Sequence, residues 1–177
     1  MIFYHFTHPG TVLRITGIGL KPNVRDNNTH MTGGKPVVWL TRQESNIVTA
    51  EDVVHMKRLN LLDRKEGDLM CGGTARLSVH LGQHSKKLVR YTDFLKKIDF
   101  RFFEAVLTPT ALKNWWVYLG EIPSHKIDTS LPASTMLECI DHHIKTHPDE
   151  DFRHRLQAER HKIFQLPLDY PVSFCLA

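Results

Sequence analysis

Apolar and polar positions along the chain change period several times, and each change marks an element. Ile2-Phe3-Tyr4-His5-Phe6-Thr7 reads as a strand that carries an imidazole and a hydroxyl among core-type residues. Val12 to Pro22 reads as a short amphipathic turn and helix ending Gly17-Ile18-Gly19-Leu20-Lys21-Pro22, and Pro36 to Thr41 as a second apolar strand. Residues 23–35 have no apolar period and close near Gly33-Gly34, which predicts a long polar loop. Gln43 to Ala50 is a polar connection, Glu51 to Asn60 a helix, and residues 63–68 a charged turn. Thr74 to Leu81 alternates, with Ala75, Leu77, Val79 and Leu81 on one face and Arg76, Ser78 and His80 on the other.

Further along, Lys87 to Tyr91 predicts a short strand or turn, and an irregular or helical stretch with Phe100-Arg101-Phe102-Phe103 runs to Pro109. Asn114 to Gly120 is the strongest late strand by aromatic and β-branched content, and Ile122 to Ile127 a turn with a final short strand. After Pro132 the period becomes helical. Thr135-Met136-Leu137-Glu138 reads as a capping box, with Leu137, Ile140 and Ile144 as the apolar stripe. Pro148 ends that helix and Asp149-Glu150-Asp151 opens another, whose apolar side is Phe152, Leu156, Ile163 and Phe164. Strands first and helices last predict an α+β domain with a C-terminal helical addition.

Composition narrows the class. The chain has 177 residues, 41% hydrophobic and 24% charged, which suits one folded domain with a real core. No apolar run reaches the eighteen or so residues of a membrane span, and Met1 leads into a strand without a signal-peptide pattern. The three cysteines, Cys71, Cys139 and Cys175, are dispersed and odd in number, which points to a reducing cytoplasm. The net charge of +4 permits an anionic partner without requiring one. Of twelve histidines, His143 and His147 stand i, i+4, but Ile144-Lys145-Thr146 between them lacks the glutamate of a zinc-protease motif. These are expected on solvated helix faces, with no metal bound.

Tyr4-His5-Phe6-Thr7, an aromatic-His pair followed by a hydroxyl, resembles the first-strand motif of the ADP-ribosyltransferase superfamily. Val12 to Pro22 resembles that family's following helix-glycine-apolar-proline element, and Pro36 to Arg42 its next strand. The resemblance is dense over about residues 2–45 and weaker to about 127. It is nearest to DNA-targeting ADP-ribosyltransferase toxins and RNA 2′-phosphotransferases. It implies an ADP-ribosyltransferase-like split β-sheet core over residues 1–130, with a helical extension over residues 131–177 packed on it as a single domain. Two small sheets would then meet at a cleft for NAD, lined by the N-terminal strands and their loops.

Breaking the bond between nicotinamide and ribose builds positive charge on the ribose. The site must hold the diphosphate, fix ribose hydroxyls, stack the nicotinamide and offer a carboxylate. The resemblance implies His5 as the ribose-gripping group, assisted by Thr7, with Arg42 as a catalytic arginine. Arg76 is a candidate for the diphosphate, since guanidinium matches phosphate oxygens bidentately. Tyr118 and the Trp115-Trp116 pair are candidates to stack on a ring. The family's late glutamate has no acidic counterpart within Trp115-Trp116-Val117-Tyr118. Glu121 is the nearest candidate for the catalytic carboxylate and Glu104 the second. Three functions stay open at this point: an NAD-dependent ADP-ribosyltransferase acting on nucleic acid or protein, a non-catalytic nucleotide-binding or inhibitor protein on the same fold, and an interaction domain forming homo-oligomers through its C-terminal helices.

Overall fold

The computed structural model describes residues 1–22, 29–60, 65–69, 73–82, 84–98 and 107–173. Its centre is a six-stranded antiparallel sheet of β1 (Ile2–Thr7), β2 (Val38–Thr41), β3 (Ala75–His80), β4 (Leu88–Arg90), β5 (Trp115–Tyr118) and β6 (Ile127–Asp128), in the order β4-β5-β2-β1-β3-β6. A small second sheet pairs β7 (Leu131–Pro132) with β8 (Pro171–Val172). The described helices are α1 (Val12–Ile18), α2 (Ala50–Arg58), α3 (Tyr91–Lys97), α4 (Pro109–Asn114), α5 (Ala133–Thr146) and α6 (Glu150–Phe164). The fold is mixed α+β. No described helix is long and apolar enough to cross a membrane.

The period-two alternation of β3 sorts the sheet's faces. Ala75, Leu77 and Val79 are fully buried and lie opposite Thr7, His5 and Phe3 of β1. On that face Phe3, Val38, Leu40 and Tyr118 join α1 and the C-terminal hairpin α5–α6 in one apolar cluster, through Val12, Met136, Ile140 and Leu156. N-terminal strands and C-terminal helices therefore share a core. The other face is covered over β4-β5-β2 by a second cluster, in which Tyr91, Phe94 and Leu95 of α3 and Ala111 of α4 meet Val117. Over β1 and β3 the same face carries Tyr4, Ser78 and the exposed Arg76 and His80.

Several expectations need correction. Helix α5 starts at Ala133 with Pro132 at its N-cap, so Thr135 and Glu138 lie inside the helix rather than forming a capping box. Its buried stripe is Ala133, Met136, Cys139 and Ile140; Leu137 and Ile144 are only partly buried. Phe164 of α6 is exposed. The true capping box belongs to α2. Thr49 Oγ1 accepts from Asp52 N–H at 3.2 Å, and Asp52 Oδ2 accepts from Thr49 N–H at 3.3 Å. Helix α4 forms between Pro109, where the expected irregular or helical stretch was to end, and the late strand, where no element was expected, with Thr108 Oγ1 accepting from Ala111 N–H and Pro109 in the first turn.

Candidate functional site

The site arises from a break in the sheet. Strand β1 pairs with β3 along its whole length, Ile2 opposite His80 through Thr7 opposite Ala75. With β2 its register holds a single pair, Tyr4 opposite Thr41. Beyond that pair His5-Phe6-Thr7 and Val38-Trp39-Leu40 diverge, dividing β4-β5-β2 from β1-β3-β6. The Trp39 carbonyl turned toward β1 takes its hydrogen bond from a side chain: His5 Nδ1 lies 2.9 Å from Trp39 O.

A carbonyl only accepts, so Nδ1 carries the imidazole proton and Nε2 keeps a free lone pair. Burial lowers the His5 pKa below the usual histidine value, against a smaller upward push from the Trp39 carbonyl. At neutral pH the ring is uncharged.

A cavity of about 640 Å³ occupies the gap. Its floor is the diverging strands, residues 4–7 and 37–41, with Trp115 behind them. One wall is α1 and its flanking turns, contributing His8, Thr11, Arg14, Ile15, Ile18 and residues 19–22; the rim is Met31, Gln43, Ser45 and Asn46. Its charged lining residues are Arg14 and Lys21, and no carboxylate is among the described residues that line it.

Hydroxyl polarity at one end follows from the partners. Thr11 Oγ1 donates its one proton to His8 O at 2.8 Å, so Thr7, whose Oγ1 lies 2.5 Å from Thr11 Oγ1, must be the donor in that pair. Thr7 Oγ1 thus retains lone pairs toward the cavity. His5 and Thr7 share a face of β1 by the period of two, and both present acceptors there.

The aromatic end is rigid. Trp39 and Trp115 meet edge to face at 5.6 Å and Trp39 meets Tyr91 at 4.8 Å between ring centroids. Tyr91 is fully buried, and its hydroxyl donates to Met31 O at 2.7 Å, tying the rim to α3. Burial pushes its phenol pKa well above the usual tyrosine value, so the hydroxyl stays a donor.

The wall is held by a backbone bridge. Gly19 ends α1 with φ of 79°, and Leu20 and Ile122 then exchange N–H to O=C bonds of 2.9 Å in both directions. This bridge lays Lys21 beside Glu121, with Nζ 3.9 Å from Oε1.

The residues singled out from sequence fall into three places. His5 and Thr7 line the cavity. Arg42 is exposed just past β2, its amide bonded to Asn114 O, and lies outside the lining although its neighbours Thr41 and Gln43 belong to it. Glu121 is exposed and faces Lys21 rather than the cavity. Arg76 was expected on the side of His5, and the register puts it on the other. It stands opposite Phe6, stacks at 5.2 Å over the Tyr4 ring, and donates to Glu44 O at 3.0 Å. Tyr118 is a core residue between Val38 and Leu88, outside the lining, whereas Trp115 lines the cavity. Glu104 lies outside the described residues.

Arg14, Lys21 and Thr11 were missed. Arg14 is the one charged residue of α1, whose neighbours Val12, Leu13 and Ile15 are buried, and that isolation was a readable signal. His143 departs from its expected solvated position: it is half-buried, with Nε2 shielded from water. Among the described residues no cluster of three or more His, Cys, Asp or Glu is placed to hold a metal ion. Compared with protein-family models, curated proteins and solved structures, the chain matches none.

Proposed function

We propose that the cleft between β1 and β2 binds NAD, and that the protein is an ADP-ribosyltransferase-like enzyme acting on nucleic acid or protein. The observation that carries this reading is the acceptor pair, His5 Nε2 and Thr7 Oγ1, on one strand face of a cleft whose charged lining residues are Arg14 and Lys21. Two neighbouring acceptors match the hydroxyls of a ribose, which arrive as donors. Arg14 and Lys21 match a diphosphate, taking the role that sequence reading had offered to Arg76. Trp39 and Trp115 provide an aromatic end for a flat ring, with Ile18 and Met31 as apolar neighbours.

The second reading is a nucleotide-binding or inhibitor protein that does not cleave NAD. The observation favouring it is the acid-free lining: Glu121 is drawn to Lys21, and a cation developing on ribose would meet no carboxylate from the described lining residues. Incubating the purified protein with NAD and following nicotinamide release separates the two. Release by the wild type, lost in Glu121→Gln without loss of NAD binding, assigns the carboxylate role to Glu121. Binding without release selects the second reading. Absence of NAD binding by calorimetry overturns both.

A further inference from the structure

We propose that Glu44 is the base that takes the acceptor's proton at the mouth of the cleft, with Tyr4 and Arg76 as its positioning residues; this rests on reading the cleft as an NAD site. The acceptor it fits is one whose attacking oxygen or nitrogen still carries a proton. Strand β1 lines the cavity from both of its faces. His5 and Thr7 share a face with Leu77 and Ala75, whereas Tyr4 and Phe6 share the face on which Arg76 and His80 are exposed. Tyr4 stands opposite Thr41 in the one pair that joins β1 to β2, so its ring marks the place where the strands part.

The turn after β2 brings a carboxylate to that edge. Gln43 N–H donates to Thr41 Oγ1 at 3.0 Å, which fixes the chain as it leaves the strand. Gln43 and Ser45 both line the cavity, and Glu44 between them is the one acid, among the described residues, with a lining residue on each side in sequence. Tyr4 Oη donates to Glu44 Oε1 at 2.9 Å. Its bond to Glu44, then burial, raises the Tyr4 pKa, so the phenol remains a donor.

Arg76 completes the hold. Its guanidinium lies over the Tyr4 ring at 5.2 Å, donates to Glu44 O at 3.0 Å, and stands 3.7 Å from Glu44 Oε2. An ion pair this exposed adds little stability. The contacts instead fix the direction of a carboxylate, and the Glu44 side chain stays 72% exposed, with lone pairs left for a further donor. Glu121, by contrast, lies against Lys21 on the α1 wall.

In the reaction the bond between ribose C1′ and the nicotinamide nitrogen breaks, and its electron pair cancels the pyridinium charge. The acceptor's oxygen or nitrogen closes on C1′ and passes its proton to Glu44, from which water takes it. Glu44 therefore works on the acceptor and not on the cation developing at the ribose. The two roles respond differently to an acceptor with no proton to lose.

The test follows nicotinamide release from NAD by the purified protein, with water as acceptor and again with added azide, an anion that attacks without a base. In water Glu44→Gln should release nicotinamide roughly a hundredfold more slowly than wild type, with ADP-ribose affinity and melting temperature unchanged. With azide the two proteins should run at the same rate. Arg76→Gln, which loosens the carboxylate without removing it, should lose roughly fivefold in water and nothing with azide, and it carries the comparison if Glu44→Gln does not fold. An equal loss with both nucleophiles, no loss in water, or a wild type that binds ADP-ribose but releases no nicotinamide in water overturns the role of Glu44 and leaves NAD binding by the cleft standing. A wild type that binds no ADP-ribose by calorimetry rejects the NAD reading and the role of Glu44 with it.

Discussion

At the scale of single residues, the half-buried His5 and the fully buried Asp52 carry opposite kinds of work. His5 spends Nδ1–H on Trp39 O and leaves Nε2 to the cavity, so His5→Ala should weaken ADP-ribose binding by about 1–3 kcal/mol. Calorimetry beside a thermal melt checks this; unchanged affinity in a folded but less stable variant would make His5 purely structural. The burial-lowered pKa gives the pH sign. Above about pH 6.5 the ring is neutral folded or unfolded, and stability falls as pH drops from there toward the folded pKa, because only the unfolded chain takes the proton. Asp52 is fully buried and structural. Its Oδ2 accepts from the Thr49 and Thr110 hydroxyls at 2.8 and 2.6 Å, and Oδ1 from Thr110 N–H at 3.1 Å. Burial pushes its pKa up, but these bonds outweigh burial and hold it below the usual carboxylate value. Its stabilisation is therefore present above about pH 4 and lost as pH falls through the lowered value. Asp52→Ala should cost about 3 kcal/mol in urea unfolding near neutral pH, since it strips α2 of its capping box and leaves Thr110 unpaired.

At the scale of elements, the cleft exists because β1 and β2 part company after one register pair, while the Leu20–Ile122 bridge keeps α1 from collapsing into the gap. Gly19 is the joint of that arrangement. Its φ of 79° is costly for any side chain, and a Cβ would stand 2.2 Å from Ile122 O. Gly19→Ala should destabilise the fold by about 2 kcal/mol or more, read from the urea midpoint, and should weaken ADP-ribose binding in what remains folded by displacing Lys21. A variant of wild-type stability would show that the bridge does not constrain the wall. The alternation of β3 was plain in the sequence, and the burial of Ala75, Leu77 and Val79 follows it. Which side of the sheet holds the cleft was not, because a period of two separates faces without saying what packs on each. Arg76 was lost to the candidate site on that account.

At the scale of the whole molecule, the hairpin α5–α6 belongs to the same core as the N-terminal strands. Leu156 of α6 is 1% exposed in the cluster that also holds Phe3, Leu77 and Val79. Leu156→Ala should cost about 2–5 kcal/mol and lower the whole protein's melting as one transition, coincident by far- and near-ultraviolet circular dichroism. Separate transitions would show the hairpin to be an independent unit. The half-buried His143 adds to the acid limb from this hairpin. Its lowered pKa favours the neutral ring in the fold, so stability declines as pH falls below about 6.5, and His143→Gln should make that decline shallower in urea titrations.

Local information in the chain was enough for the strands with strict alternation, the two C-terminal helices, and the placing of His5 and Thr7 on one face of β1. Those follow from side-chain periodicity, which each segment carries alone. The expected order of strands before helices gave way to helices interleaved with the strands. The start of α5 escaped because Thr135 and Glu138 have capping chemistry, yet the preceding Pro132 already sits in β7 and sets the helix off three residues earlier. The cleft's charge was settled by contacts distant in sequence. Glu121 faces Lys21 because Leu20 pairs with Ile122, and Arg14 reaches the gap because its helix neighbours Val12, Leu13 and Ile15 are buried against the sheet. A segment's own pattern states which of its faces is apolar. Only the packing of that face against another part of the chain decides where the polar face points, and hence which arginine, lysine or carboxylate meets a ligand.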